Sequence, residues 1–263
     1  MRTEILYGIH PVSEALKAGR RKFFEVYLAQ HKGSKRAEKT ATIAKSLNIP
    51  LKKVKAFELS SITGTDRHQG IGARVSPYPL AEPTDIYDNI KADENPFLLL
   101  LDSIVDPHNL GALIRTALCV GIEGILIPKD RSALPTPAVS SASAGALEHI
   151  RLALVTNMVT AIKSLKKKGL WIAGMDKIAQ KSIFSFDFSC PLAIVIGGEE
   201  KGIRSLIKKH CDFLISIPQK GEINSLNASA AGAVVMYEAF RQRRLKKQKD
   251  MYNYGKKQQN NNK

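Results

Sequence analysis

Cysteine is scarce: Cys119, Cys190 and Cys211 are the only three in 263 residues, and no CxxC pair occurs. That excludes a cysteine zinc site or a disulfide framework and fits reduced thiols in a cytoplasmic protein. Long apolar runs are also missing. No stretch reaches 18 apolar residues, so the sequence predicts no membrane span. The start, MRTEILYGIHPVSEAL, lacks the basic-then-apolar order of a signal peptide, and Glu4 and Glu14 disfavour a transit peptide. Aromatic residues make up only 6% of the chain, so stacking on exposed single strands is not its main binding mode. The phosphate-cradling G-x-x-x-x-G-K-[ST] motif is absent. GGEEKG, residues 197–202, lacks dinucleotide spacing and lies late in the chain. A P-loop enzyme and an ordinary dinucleotide dehydrogenase are therefore disfavoured. No His/Cys/Asp cluster suggests a metal.

What is abundant is positive charge, and its placement says more than its size. The net charge is +16. Residues 1–76 hold 15 Lys and Arg against 6 Asp and Glu, a net of +9. Residues 77–240 hold 16 against 17, a net of −1, and the last 23 residues hold 9 against 1, a net of +8. The excess sits at both ends around a near-neutral middle, as expected of a protein whose partner is a polyanion, since lysines and arginines that neutralise phosphates release counterions.

The first segment reads as a small α/β unit. GIHPVSEALKAG is helical, with Val12, Ala15 and Leu16 on one face and Gly19 as its stop. FFEVYLA and IPLKKVKA read as strands around a helical KTATIAKSLN, and TGTDRHQGIGARV as a glycine-rich loop leading into a strand. SPYPLAEPTDIYDNIKADENP, residues 76–96, carries four prolines and many acidic groups, which is a linker signature. Beyond it, FLLLLD, GILIP, LALV, LWIAG, LAIVIGG and FLISIP are short apolar runs alternating with helical segments such as HNLGALIRTALCVG. This pattern predicts a parallel sheet covered on both faces. After Arg241 the chain is basic and then rich in Asn and Gln. It cannot bury a core, so disorder is expected there.

Three segments stand at strand ends of this second region: DPHNLGALIRTA (106–117), VIGGEEKGIR (195–204) and ISIPQKGEINSLNAS (215–229). Ligands of open α/β sheets bind beyond the carboxyl ends of strands. The N-L-G-A-x-x-R-T-A core, the G-x-E-x-x-G turn and I-P-x-x-G-x-x-x-S-L-N-x-S resemble the motifs of the SpoU/TrmH branch of the SPOUT methyltransferases. YGIHPVSEAL and HQGIGARV (68–75) are similar to the N-terminal substrate-binding domain of the subgroup that methylates a guanosine in bacterial 23S rRNA.

The resemblance implies a SPOUT-type α/β domain with a C-terminal trefoil knot, preceded by a small L30e-like α/β substrate-binding domain. It divides the chain into an RNA substrate-binding domain (1–76), a linker (77–96), a knotted methyltransferase domain (97–244) and a basic tail (245–263). It implies a homodimer that transfers a methyl group from S-adenosylmethionine to a ribose 2′-hydroxyl, with no metal. By the same resemblance, Arg115 meets the target ribose or phosphate, Asn109 orients it, and Glu199 holds a pocket group through charge-assisted hydrogen bonds. Ser225 and Asn227 face the substrate. Gly197, Gly198, Ile217 and Leu226 contact the cofactor. Glycine permits close backbone approach, and Ile and Leu supply an apolar wall for adenine. Plainer roles stay open: a helix cap for Asn109, a surface salt bridge for Arg115, a solvated turn for Glu199, capping by Ser225 or Asn227, and an ordered loop histidine rather than an RNA contact for His68. So do three other functions: a tRNA 2′-O-methyltransferase, a resistance methylase acting on rRNA adenosine, and a noncatalytic RNA-binding or assembly protein. The long N-terminal region speaks against the minimal tRNA type.

Overall fold

The computed structural model describes residues 2–30, 34–91, 94–220 and 225–261, with the side chains of the last helix described as far as Asp250. The first part of the chain builds β1 (Glu4–Tyr7), α1 (Ile9–Ala18), β2 (Phe23–Ala29), α2 (Lys35–Ser46), β3 (Leu51–Val54), α3 (Ala56–Thr63) and β4 (Ile71–Val75). They form a four-stranded sheet in the order β1-β4-β2-β3. β4 runs antiparallel to β1 and β2, while β2 and β3 are parallel. Alternate side chains of a strand point to opposite faces. Accordingly Leu6, Val26, Leu28, Ile71 and Ala73 pack with Val12, Leu16 and Ala41 of α1 and α2, whereas Tyr27, Ala29 and Val54 pack with Leu59 of α3. α2 begins where the Ser34 hydroxyl accepts a hydrogen bond from Ala37 N–H at 3.2 Å, as an N-cap serine does.

The remainder comprises α4 (Pro83–Asp88), β5 (Phe97–Asp102), α5 (Pro107–Cys119), β6 (Gly124–Pro128), α6 (Pro137–Ala142), β7 (Leu152–Val155), α7 (Met158–Lys167), β8 (Trp171–Met175), β9 (Lys181–Ser182), β10 (Leu192–Gly197), α8 (Ser205–Lys208), β11 (Phe213–Ser216) and α9 (Ala228–Asn261). Seven strands make one sheet in the order β7-β6-β5-β10-β8-β11-β9. The pairs β5/β6, β5/β10, β10/β8, β8/β11 and β11/β9 are all parallel. Its centre is fully buried from Leu98 to Leu101 and from Ala193 to Val195, which explains the uninterrupted apolar runs. Each such leucine contributes about 1.5–3 kcal/mol by leaving water. The chain leaves β5 toward β6 on one side, whereas β10 on its other side is bordered by β8. The strand order therefore reverses between β5 and β10, which is where open α/β sheets bind ligands.

Contacts within the chain define two compact units. One comprises Met1–Ala81, Val105–Leu118 and Ser132–Leu152; the other comprises Glu82–Ile104, Cys119–Arg131 and Ala153–Lys263.

The segment read as a linker contains one helix, α4, whose Ile86 is buried in the room that Gly124 of β6 leaves. One expectation needs correction. The tail is not disordered over its length, since α9 continues to Asn261. Lys, Arg and Gln are good helix formers. A helix anchored by the fully buried Val235, Met236 and Ala239 needs only propagation, not a new nucleus, to continue. Among the described residues no helix is long and apolar enough to cross a membrane, and no group of three or more His, Cys, Asp or Glu could hold a metal ion.

Candidate active site

The site is built on the end of β5. Asp102, its last residue, is fully buried. Its Oδ2 accepts from Arg204 N–H at 2.9 Å and its Oδ1 from Arg204 Nε at 2.8 Å, while Arg204 Nη2 lies 2.7 Å from Oδ1. The Asp102 carbonyl accepts from Gly198 N–H at 2.9 Å, and Gly202 N–H donates to Gly198 O at 2.9 Å. Residues 198–204 are thus pinned to β5 by one carboxylate and one carbonyl. Only glycine fits the turn. A Cβ on Gly197 would lie 2.1 Å from Gly202 C, and one on Gly198 2.3 Å from Ser103 O.

The turn forms one wall of a cleft of about 360 Å³ at the carboxyl ends of β8, β10 and β11, within the usual size of small-molecule sites. Six residues singled out from the sequence line it: Gly197, Gly198, Glu199, Ile217, Ser225 and Leu226. The motif residues 221–224 that precede Ser225 lie outside the described residues. Asn227 joins the cleft through Glu199, whose Oε1 accepts from Asn227 Nδ2. Asn227 also caps α9, for its Oδ1 accepts from Ser229 N–H at 2.9 Å and Ala230 N–H at 3.3 Å. One side chain therefore starts the apolar helix and ties that start to the glycine turn. Sequence reasoning missed Asp102, Arg204, Asp176 and Lys208. The last two line the cleft and pair at 2.8 Å. A polar residue ending an apolar strand, as in FLLLLD and WIAGMD, was the available signal.

Asn109 and Arg115 lie on α5, in the first compact unit. The α5 cap is Asp106, whose Oδ1 accepts from His108 N–H at 2.9 Å, so capping does not account for Asn109. Asn109 is buried, whereas Arg115 is exposed and makes no ion pair among the described residues. The motif glycine Gly111 serves packing: a Cβ there would lie 2.5 Å from Ala142 Cβ of α6. His68 is accounted for by structure. Its Nδ1 accepts from Gly70 N–H at 3.0 Å, which leaves the ring proton on Nε2 to face Ser60 Oγ at 3.1 Å. Burial lowers its pKa despite the nearby charge of Asp66 and keeps it neutral. The neighbouring Gln69 Oε1 accepts from Ile9 N–H at 3.0 Å, which joins the HQG and YGIHPV segments.

Fold and cleft together define an α/β protein with a cleft of small-molecule size beyond its strand ends, and the comparisons narrow the class. The chain belongs to the SpoU rRNA methylase family, whose sequence model matches residues 96–237. A second model, RNA 2′-O ribose methyltransferase substrate binding, matches residues 5–81. The chain is 40% identical over 241 residues to the putative TrmH family tRNA/rRNA methyltransferase YacO of Bacillus subtilis, covering 91% of this chain and 96% of that protein. It is 37% identical to the 23S rRNA (guanosine-2′-O-)-methyltransferase RlmB of Shewanella oneidensis, over 92% of this chain and 98% of the other. Its fold is that of the SpoU methyltransferase AviRb of Streptomyces viridochromogenes, with a TM-score of 0.78 at 23% identity over 92% of this chain and 90% of that one.

Proposed function

We propose that this protein transfers a methyl group from S-adenosylmethionine to a ribose 2′-hydroxyl in RNA, with a guanosine of 23S rRNA as its target. The observation that carries the reading is whole-length identity to relatives named for that reaction, spanning both the substrate-binding and the methylase regions. The cleft fits the cofactor: glycine backbone, the aliphatic wall of Ile196, Ile217 and Leu226, and one buried carboxylate suit a nucleoside carrying an amino acid. Bound there, S-adenosylmethionine supplies a methyl group already activated by its sulfonium.

The protein must align the hydroxyl with that methyl and help its proton leave. A guanidinium is a poor proton acceptor, so Arg115 stabilises the developing alkoxide or orients the adjacent phosphate rather than acting as a base. Asn109 orients the same group. Glu199, Ser225 and Asn227 fix the cleft's polar edge. The functional division is 1–76 for substrate, 77–96 as linker, 97–244 for catalysis and 245–263 as a basic tail. A C-terminal trefoil knot is supported by membership of the family, and the insertion of β10 between β5 and β8 and the close packing of Gly198 on Ser103 agree with it. A homodimer is supported by Val234, Tyr237 and Leu245, which are spaced along one exposed face of α9. An rRNA substrate supports a cytoplasmic location.

The test is methyl transfer from radiolabelled S-adenosylmethionine to separate pools of unmodified 23S rRNA, 16S rRNA and tRNA, with Arg115→Ala in parallel. Label is expected in 23S rRNA at one guanosine that resists alkaline cleavage, reduced about 100- to 1,000-fold in the variant while cofactor binding persists. Label confined to tRNA would remove the substrate assignment. Absence of both label and cofactor binding would give the noncatalytic reading the lead.

A further inference from the structure

Five charged residues besides Lys208 line the cleft, and four of them, Lys177, Glu199, Glu200 and Lys201, are exposed at its rim. Asp176 is different. It immediately follows the last residue of β8 and is only 9% exposed. It is held rigidly, since its N–H donates to Ile215 O of β11 at 2.9 Å and its carbonyl accepts from Ala179 N–H at 3.1 Å. Its Oδ2 lies 2.8 Å from Lys208 Nζ. Its Oδ1 accepts only one long bond among the described residues, from Ile178 N–H at 3.3 Å. A carboxylate offers about four lone-pair sites, so Asp176 has acceptor capacity left on a surface that faces the cleft. Burying a carboxylate is costly unless it is paired and hydrogen-bonded. Here the pairing is done and the hydrogen bonding is incomplete.

We infer that Asp176, held by Lys208, is the group that accepts the ribose hydroxyls of the nucleoside bound in the cleft. This assignment rests on the cofactor reading above and deepens it. A vicinal diol offers two neutral O–H donors, which match an acceptor-only carboxylate. An acidic side chain that takes ribose hydroxyls beyond a strand end is a recurrent solution in α/β nucleotide sites. The other donors such a ligand carries are the adenine 6-amino group, which travels with the ring assigned to the wall of Ile217 and Leu226, and the α-ammonium. Lys208 already supplies a cation 2.8 Å from this carboxylate, and a second cation beside it would be repelled. Neutral donors therefore fit better. Asp176 thus selects ribonucleoside over deoxynucleoside ligands, and Lys208 is a positioning residue for it.

The experiment is calorimetric titration of the full chain with S-adenosylhomocysteine, its 2′-deoxy and 3′-deoxy analogues, and an analogue lacking the α-amino group, using wild type and Asp176→Asn. Wild type is expected to bind at least one deoxy analogue about tenfold more weakly than the parent, the scale of a hydrogen bond to a charged group. Asp176→Asn is expected to bind the parent about tenfold more weakly and to lose discrimination against the deoxy compounds, while its response to loss of the amino group stays that of wild type. A purely structural role would weaken all four ligands alike and preserve the discrimination. That result overturns the assignment, as does a variant that stops sensing the amino group instead. Wild-type protein that binds the parent and both deoxy analogues equally well also overturns it, even if the variant does not fold. Wild-type protein that binds none of the four overturns the cofactor reading together with this one.

Discussion

In the first compact unit the Arg21 side chain is completely buried. Its Nε donates to Glu148 Oε2 at 2.7 Å, its Nη2 to Glu148 Oε1 at 3.1 Å, and its Nη1 to Glu4 Oε2 at 2.7 Å and to Ser76 O at 3.1 Å. The Ser140 hydroxyl donates to Glu148 Oε1 at 2.8 Å as well. In the second unit the buried carboxylates Asp102 and Asp176 stand at the carboxyl ends of β5 and β8, and their partners Arg204 and Lys208 keep 45% and 28% side-chain exposure. The first network is closed, with donors and acceptors used up among protein groups far apart in sequence. The second pair of sites is open in that each anion is paired with a cation whose side chain keeps part of its surface in solvent. Closed burial of charge specifies and stabilises a fold, whereas open burial at strand ends shapes a ligand site.

The contrast is broken most forcefully by removing one member of the closed network. Arg21→Met leaves Glu148, only 1% exposed, without its main counter-ion. The expected cost is about 3–5 kcal/mol in urea unfolding, with cofactor affinity unchanged in the folded fraction. Adding Glu148→Gln is expected to recover part of that loss, because no uncompensated charge then remains. At the open site Asp102→Asn is expected to cost less stability, about 1–3 kcal/mol. It is also expected to weaken the cofactor about tenfold, because Arg204 N–H and Nε lose the carboxylate that pins the glycine turn. The distinction fails if Asp102→Asn unfolds the protein as strongly as Arg21→Met while leaving the cofactor dissociation constant alone.

How much of this was legible before the structure varies with the kind of residue. β5, β6 and β7 match the strands read from FLLLLD, GILIP and LALV because central parallel strands are apolar without interruption. β1 and α3 were not separated out. EILY is a four-residue strand and AFELSSIT buries only Leu59, so neither has a strong period. The family and its α/β class were legible in the three motifs, and the turn at 197–202 lies where they placed it. The Asp102–Arg204 and Asp176–Lys208 pairs were not, because nothing local in a sequence announces a partner dozens of residues away. The dual role of Asn227, cap and tether to Glu199, was half-legible for the same reason: capping is local and the tether is not.

The smallest expected effect concerns a half-buried group that no ion pair holds ionised. Burial pushes the Cys211 thiol up from its ordinary value of 9.0 to about 12, with Lys166 and Asp212 pulling in opposite directions. Its Sγ sits 3.4 Å from Ile207 O, and Gly174 leaves the room it fills. The folded state therefore keeps this thiol protonated where the unfolded chain ionises it. Because the folded pKa is raised, the contribution is fully present below pH 9 and is lost as the pH climbs toward 12. By pH 10 the loss amounts to roughly 1.4 kcal/mol, one unit above the unfolded value. Unfolding free energies at pH 8 and pH 10 are expected to fall more steeply for wild type than for Cys211→Ala, by about that amount. The alanine variant starts lower because of the cavity it leaves. Parallel curves for the two proteins would mean that the thiol is hydrated in the folded state, and that the space beside Gly174 is as open to water as the cleft at the adjoining end of β8.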